Sequence, residues 1–405
     1  MGLIYKNGIL HFGEEELTPL DELTRGREEP FYLYDLDGMR TRARALRSAY
    51  PGLEVHYAMK ANATDRIMKA FLAEGTGVDV VSGGEIECAF RCGFRPEHVI
   101  FSGVGKTRGE LELAIGRGIK QINVESPQEL DRIIALARAL GKRPRVAFRM
   151  NPDVDAKTHP YISTGLRENK FGMGEHFIPD LIASLQLADG AVEPVGLTMH
   201  IGSQLTDIAP IEDAIRRTSG YFERFRAAGF PLVSMDVGGG LGIPYSEEHR
   251  VPSRDLELIA GYGVMLKRAL KDFPGRVLCE PGRILVGSCG TLLGEVQYVK
   301  ETPHRNFLIL NTGMHHLIRP SLYEAFHRIM PVVENRDRSP KVYDVVGPIC
   351  ESSDVLGKER TMPEVRQGEW LAIADAGAYG IAMASTYNEH ELPEQFFWEG
   401  GRLSI

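Results

Sequence analysis

The run Val55-His56-Tyr57-Ala58-Met59-Lys60-Ala61-Asn62 reads as a short apolar strand that ends in one lysine. A lysine at the inner end of a core strand is costly, because burial disfavours the ammonium form. Two readings are open. The aliphatic stem can carry the amine out to solvent, or the amine can serve as a nucleophile that forms a Schiff base. The rest of the chain weighs on the second side: four later strand ends each supply a piece that a phosphate-bearing cofactor with a ring nitrogen needs.

Working outward, the same rhythm repeats. Apolar runs at residues 55–59, 78–81, 99–102, 121–124, 146–150, 195–200, 233–237 and 277–280 alternate with helical stretches such as 65–74, 85–92, 109–117, 127–140 and 211–228. Strand–helix units in one direction predict a parallel sheet with helical crossovers. Eight of them is the number that closes a (β/α)8 barrel of the TIM type, expected over residues 31–282. A doubly wound open sheet is the alternative, but it rarely spreads chemistry over first, sixth, seventh and eighth strands alike. Residues 151–174 form a long polar insertion after the fifth strand, and long loops there usually serve the active site.

Beyond the barrel the pattern changes. Residues 291–300, 307–311, 342–346 and 370–375 are short β-rich runs separated by turn residues, which predicts a mostly antiparallel β domain over residues 283–405. At the other end, Asn7-Gly8 between two apolar runs is a strong hairpin signal. These N-terminal strands, residues 1–30, are expected to join the β domain.

Composition narrows the function classes. A net charge of −8 over 405 residues argues against nucleic-acid binding, which usually shows a basic surplus. No apolar run approaches the roughly 20 residues that cross a bilayer, and the N-terminus lacks a basic-then-apolar signal pattern. Five scattered cysteines make neither a disulfide framework nor a zinc knuckle, so a reducing cytoplasm is expected. Cys88 and Cys92, four apart in a helical stretch, read as core packing. Zinc enzymology is disfavoured: no H-E-x-x-H occurs, and His315-His316, read as neighbours on a strand, cannot both face one metal.

In a barrel the chemistry sits at the C-terminal ends of the strands. Lys60 follows the first strand and Asp79 lies in the second. His200-Ile201-Gly202-Ser203-Gln204 follows the sixth, Asp236-Val237-Gly238-Gly239-Gly240-Leu241-Gly242 the seventh, and Glu280-Pro281-Gly282-Arg283 the eighth. Consecutive glycines let backbone N–H groups approach an anion, and loops after strands seven and eight are where barrels hold phosphate. Their plain alternative is a turn that needs positive φ; the run does not have the G-x-G-x-x-G spacing of a dinucleotide site. Glu280 suits a pyridine nitrogen, or else a structural pair with an arginine such as Arg283. His200 suits a flat face stacked on a ring, or else a satisfied core histidine.

The order Y-A-M-K-A-N, H-I-G-S-Q, D-V-G-G-G-L-G, E-P-G-R, C-E-S-S-D and D-A-G-A-Y-G resembles the fold-type III pyridoxal-phosphate decarboxylases of basic amino acids, over essentially the whole chain. The resemblance implies pyridoxal 5′-phosphate as cofactor and a head-to-tail homodimer with shared active sites. It implies Lys60 as the Schiff-base lysine and His200 stacked on the ring. Asp79, Ser203, Gly239, Gly240, Glu280, Gly282, Arg283 and Tyr379 are expected around the cofactor. Cys350, reaching in from the partner subunit, is expected to protonate the carbanion. Its plain alternative is a buried small apolar residue.

For the substrate, the resemblance implies Arg283, Arg319 and Tyr323 on a distal carboxylate and Glu351 on a distal ammonium, with Tyr379, near the phosphate, also touching the substrate. A substrate with amino-acid groups at both ends, meso-2,6-diaminopimelate, uses all of these and yields L-lysine. Ornithine, lysine or arginine is the alternative substrate, although the first two leave a buried arginine unpaired. The plain alternative for Arg319 is a surface salt bridge. The stretch from His159-Pro160-Tyr161 to Gly165, running on to Asn169-Lys170-Phe171-Gly172, resembles the family's specificity loop. Two further readings compete: an alanine-racemase-like enzyme, disfavoured by Glu280 and Cys350, and a catalytically silent homologue that binds a partner protein, disfavoured by the intact Lys60, Glu280 and Cys350.

Overall fold

The structure is a computed structural model that describes residues 2–13, 18–155, 165, 169–245 and 254–405. The chain divides into two compact units. One comprises Arg42–Gly242 and Leu256–Arg283; the other comprises Met1–Thr41, Ile243–Asp255 and Ile284–Ile405.

The first unit is the barrel. Its strands are Glu54–Ala58, Gly77–Val80, Val99–Phe101, Gln121–Val124, Arg145–Arg149, Glu193–Thr198, Ser234–Asp236 and Arg276–Cys279. Each pairs in parallel with the next, and the eighth closes on the first through Leu278 with Glu54 and Cys279 with Val55. These strands are short, continuous apolar runs because both of their faces are covered, which is the sequence signature of a parallel sheet. The crossover helices carry their own start and stop signals. Ser82, Thr107 and Ser126 accept from backbone N–H groups at three helix N-termini, and Thr107 forms a reciprocal capping box with Glu110. Each such cap contributes about 1 kcal/mol. Gly118 and Gly141 end two helices in the left-handed conformation. The helix expected over residues 211–228 is two, Ala209–Ser219 and Phe222–Ala227, with a break at Gly220 and Tyr221. Cys88 and Cys92 are both buried.

The second unit is built on a mostly antiparallel sheet. Its strand order is Val355–Pro363, Pro340–Val346, Asn306–Leu310, Gly290–Glu301, Phe31–Asp35, Glu394–Glu399 and Arg402–Ser404. Trp370–Ile373 pairs with Gly290–Glu301 and with Ile329–Pro331. Phe31–Asp35 corrects the expected boundary at residue 31. This strand does not open the barrel; it runs antiparallel to Gly290–Glu301 and parallel to Glu394–Glu399. All five of its residues are buried, so it needs a strand on either side and cover on both faces.

The hairpin of Gly2–Lys6 and Ile9–Gly13 turns at Asn7 and Gly8, both at positive φ, and forms a three-stranded sheet with Thr18–Pro19. Leu10 N–H donates to Val332 O at 2.8 Å, and Leu10, Phe12, Phe31, Trp370, Phe396 and Trp398 share one core. Truncating an aromatic there, such as Phe396→Ala, costs about 3–5 kcal/mol. His315 and His316 are not on a strand; they occupy the turn before the helix Arg319–Tyr323.

Candidate active site

The expected residues fall into two groups, one in each unit. In the barrel unit, Lys60 sits in a single 3-10 turn, Met59–Ala61, directly after the first strand. Its Nζ donates to Asp79 Oδ2 at 3.2 Å. Strand register explains the meeting, because Asp79 lies opposite Ala58, two residues before the lysine. Asp79 is fully buried, and its Oδ1 has no hydrogen-bond partner among the described residues. A buried carboxylate oxygen without a donor is uncommon and points to a missing group.

The ends of strands six, seven and eight crowd together. A Cβ on Gly239 would stand 2.1 Å from Glu280 O, and one on Gly240 2.4 Å from Gly202 O, with Gly240 at φ +103°. Only glycine fits here. Gly238 N–H donates to Asp236 Oδ1 at 2.9 Å and Gly239 N–H to His200 Nδ1 at 3.2 Å. Gly240 N–H has no acceptor among the described residues. Because His200 Nδ1 accepts, it carries no proton. Burial pushes the His200 pKa well below the usual range, with the Arg149 and Lys60 charges acting the same way, so the ring is neutral.

Glu280 does not pair with Arg283. Its Oε1 accepts from Asn123 Nδ2 at 3.0 Å and from Ser102 Oγ at 3.3 Å, and Asn123 Oδ1 is fixed in turn by Gln121 Nε2 at 2.8 Å. Burial raises the Glu280 pKa well above the carboxylate range; Asp236 and Asp79 push the same way against Lys60 and Arg149. Burial also pushes Asp236 up to about 7, opposed by its bond from Gly238. Arg283 Nη2 instead donates to Ser203 Oγ at 3.0 Å. Gly282 packs on the lysine turn, its Cβ position 3.1 Å from Ala61 Cβ, and Ala58 N–H donates to Pro281 O at 2.9 Å.

Sequence reasoning missed several of these groups. Asn123, Ser102 and the buried pair Arg149–Glu125, 2.7 Å apart, all lie in or just after the third, fourth and fifth strands. The signal was present: a polar residue inside or ending an apolar run is costly to bury unless partnered. Glu125 also accepts from Gly172 N–H at 2.8 Å, which ties down the described end of the 151–174 insertion. Most of the expected specificity loop, residues 156–164 and 166–168, lies outside the described residues.

In the second unit Arg319 is buried, so the surface salt bridge is ruled out. Its Nη1 lies 2.7 Å from His327 Nε2, and its Cζ stands 4.5 Å from the Tyr245 ring centroid. Tyr323 ends the same short helix. Cys350 is exposed rather than buried, and its backbone N–H donates to Asn388 Oδ1 at 3.3 Å. Glu351 Oε1 accepts from Tyr387 OH at 2.8 Å. Asp354 anchors this loop by accepting from Met314 N–H at 2.6 Å and Ile349 N–H at 2.7 Å. Tyr379 holds φ +57°, uncommon for a bulky side chain.

The donor set in the barrel fits pyridoxal phosphate: an amine beside a buried carboxylate, a glycine cradle with an unclaimed N–H, and a buried acid. A lysine-bearing barrel of this kind defines a class of cofactor-dependent enzymes. Residues 36–287 match the family described as pyridoxal-dependent decarboxylase, pyridoxal binding domain. The chain is 40% identical to a diaminopimelate decarboxylase of Aquifex aeolicus over 406 aligned residues, covering 100% of this chain and 94% of that protein. Among solved structures it is similar to diaminopimelate decarboxylase from Helicobacter pylori complexed with L-lysine, with TM-score 0.87, 38% identity and 95% of each chain covered. It is similar also to the M. jannaschii diaminopimelate decarboxylase in co-complex with L-lysine, with TM-score 0.88, 34% identity and coverage of 99% and 94%. The chain belongs to the pyridoxal-dependent decarboxylases and, within them, to the diaminopimelate decarboxylases.

Proposed function

We infer that this chain removes one carboxyl group from meso-2,6-diaminopimelate, giving L-lysine and carbon dioxide. The observation that carries the reading is Lys60 on buried Asp79 at the end of the first barrel strand, in a chain aligned over its whole length with 94% of a diaminopimelate decarboxylase.

Lys60 would hold the cofactor through its amine, Ser203, Gly239, Gly240, Gly282 and Arg283 would hold its phosphate with Tyr379 near it, and His200 would cover one face of its ring. When bound, pyridoxal phosphate supplies the electron sink for the pair left when the carbon–carbon bond to the carboxylate breaks. The remaining work falls to side chains. Asp79 orients Lys60 Nζ. Neutral His200, with Nδ1 fixed by Gly239 N–H, presents a flat face and no charge. Glu280, clamped by Asn123 and Ser102, would be the partner for a ring nitrogen.

Cys350 Sγ delivers the proton that replaces the lost carboxyl, from the second subunit of a homodimer. Its exposure in the single chain supports that role. Glu351, oriented by Tyr387, takes the distal ammonium. Arg283, Arg319 and Tyr323 serve the distal carboxylate, since a guanidinium meets a carboxylate through two parallel hydrogen bonds. Five free cysteines support a reducing, cytoplasmic location. Among the described residues no helix is long and apolar enough to cross a membrane.

Carbon dioxide release from meso-diaminopimelate, lysine and ornithine tests the reading. Release from meso-diaminopimelate alone is expected; release chiefly from ornithine or lysine contradicts it.

A further inference from the structure

We propose that Lys106 is a positioning residue: its buried ammonium pins the main chain on which Ser102 and Asn123 stand, and through them sets the Glu280 carboxyl toward the cofactor ring. The proposal rests on the reading of Glu280 as the partner of a ring nitrogen.

Lys106 lies in the turn after the third barrel strand, one residue before Thr107, which caps the next helix. Its side chain turns inward and is 0% exposed. Nζ donates to Gly103 O at 2.6 Å, to Asn123 O at 2.6 Å and to Glu129 Oε1 at 2.8 Å. These three acceptors match the three N–H donors of an ammonium. Nζ also stands 5.4 Å from the Phe101 ring centroid, within reach of a cation–π contact. All three N–H groups are committed, so Lys106 acts only through its neighbours.

The two carbonyls are the telling partners. Gly103 directly follows Ser102, and Asn123 is the residue whose amide holds Glu280. One amine therefore joins the ends of strands three and four at the residues that make the clamp. Glu129 Oε2 accepts from Glu125 N–H at 2.9 Å, so the Lys106–Glu129 pair grips the end of strand four at residue 123 and again at residue 125. From this fixed backbone Asn123 Nδ2 donates to Ser102 Oγ and to Glu280 Oε1, each at 3.0 Å. Ser102 Oγ donates in turn to Glu280 Oε1 at 3.3 Å. An apolar residue at 106 would release both strand ends at once, and the clamp would loosen without losing any of its own atoms. A lysine that merely satisfies buried carbonyls would affect stability and leave the Glu280 carboxyl where it is.

The test uses holoenzyme loaded with pyridoxal phosphate that is isotope-labelled at the ring nitrogen. The NMR shift of that nitrogen reports how far it is protonated. The variants are Lys106→Met, Asn123→Leu, Glu280→Gln and the Lys106→Met/Asn123→Leu double. In Lys106→Met the ring-nitrogen signal is expected to move in the same direction as in Asn123→Leu and Glu280→Gln, and by less than in Glu280→Gln. Its kcat is expected to fall about tenfold, with KM and cofactor affinity held within about twofold. In the double variant the two losses in kcat should not multiply, because both act through one amide.

A wild-type ring-nitrogen signal in Lys106→Met, with a moved signal in Glu280→Gln, overturns the proposal and leaves the function intact. Losses that multiply in the double variant also overturn it. An unmoved signal in Glu280→Gln overturns it at its footing, the reading of Glu280. Should Lys106→Met not fold, the Lys106→Met/Glu129→Met pair carries the same comparison, since it removes the pin without leaving the Glu129 carboxylate unpaired.

Discussion

Lys60 Nζ stands 3.2 Å from Asp79 Oδ2, and the other oxygen of that fully buried carboxylate has no partner among the described residues. The carboxylate therefore aims the amine and keeps one acceptor in reserve. Asp79→Asn preserves the shape and removes the charge. Cofactor affinity, read by titrating apoenzyme with pyridoxal phosphate, is expected to weaken about tenfold, the scale of one hydrogen bond to a charged group. Unchanged affinity would assign Asp79 to packing alone.

Glu280 is held by Asn123 and Ser102, and burial, with Asp236 and Asp79 nearby, pushes its pKa well above the usual carboxylate range. Glu280→Gln should retain bound cofactor and its visible absorbance while kcat falls by about 100-fold or more, the scale of removing one preorganised electrostatic contact. Asn123→Leu, which frees one side of the acid, should fall between wild type and Glu280→Gln. Full activity in Glu280→Gln would remove the acid from the chemistry.

Mixing tests the shared site. Lys60→Ala and Cys350→Ala subunits are each expected to be nearly inactive. Random reassortment into dimers should restore about one quarter of wild-type activity, because half the dimers are mixed and each has one intact site. No recovery, with mixed dimers shown to form, would place both residues in one self-contained subunit.

The histidine turn predicts a pH dependence. The His315 ring centroid lies 3.6 Å from that of His316 and 4.7 Å from that of His390. Burial, then the neighbouring rings, pushes the His315 pKa down to about 3; burial pushes His316 to about 4, opposed by its bond to Glu391 O. Unfolded histidine titrates near 6.5, so below that pH the unfolded chain takes up protons the folded chain refuses. Neither residue affects stability above this range. The loss accumulates as pH falls toward about 4 and reaches on the order of a few kcal/mol. His315→Leu should flatten this acid limb in thermal unfolding; parallel curves for variant and wild type would contradict it.

Much of the site was legible because a barrel places function at strand ends, and strand ends can be read from alternating runs and helices. The strand-end placement of Lys60, His200, the glycine cradle and Glu280 follows from that alone; their roles came from the resemblance. Asn123 followed from neither, because its acceptor on Glu280 lies 157 residues away and nothing local marks the pair. The boundary at residue 31 put Phe31–Asp35 on the barrel side because its sheet partners lie beyond residue 289, where no local pattern marks them.

Borohydride reduction of the holoenzyme, followed by peptide mass mapping, bears most directly on the claim that one amine anchors the cofactor. A single reduced pyridoxyl-phosphate adduct on Lys60, absent in Lys60→Ala, is the predicted result. An adduct on another lysine, or an unchanged visible band in Lys60→Ala, would contradict it.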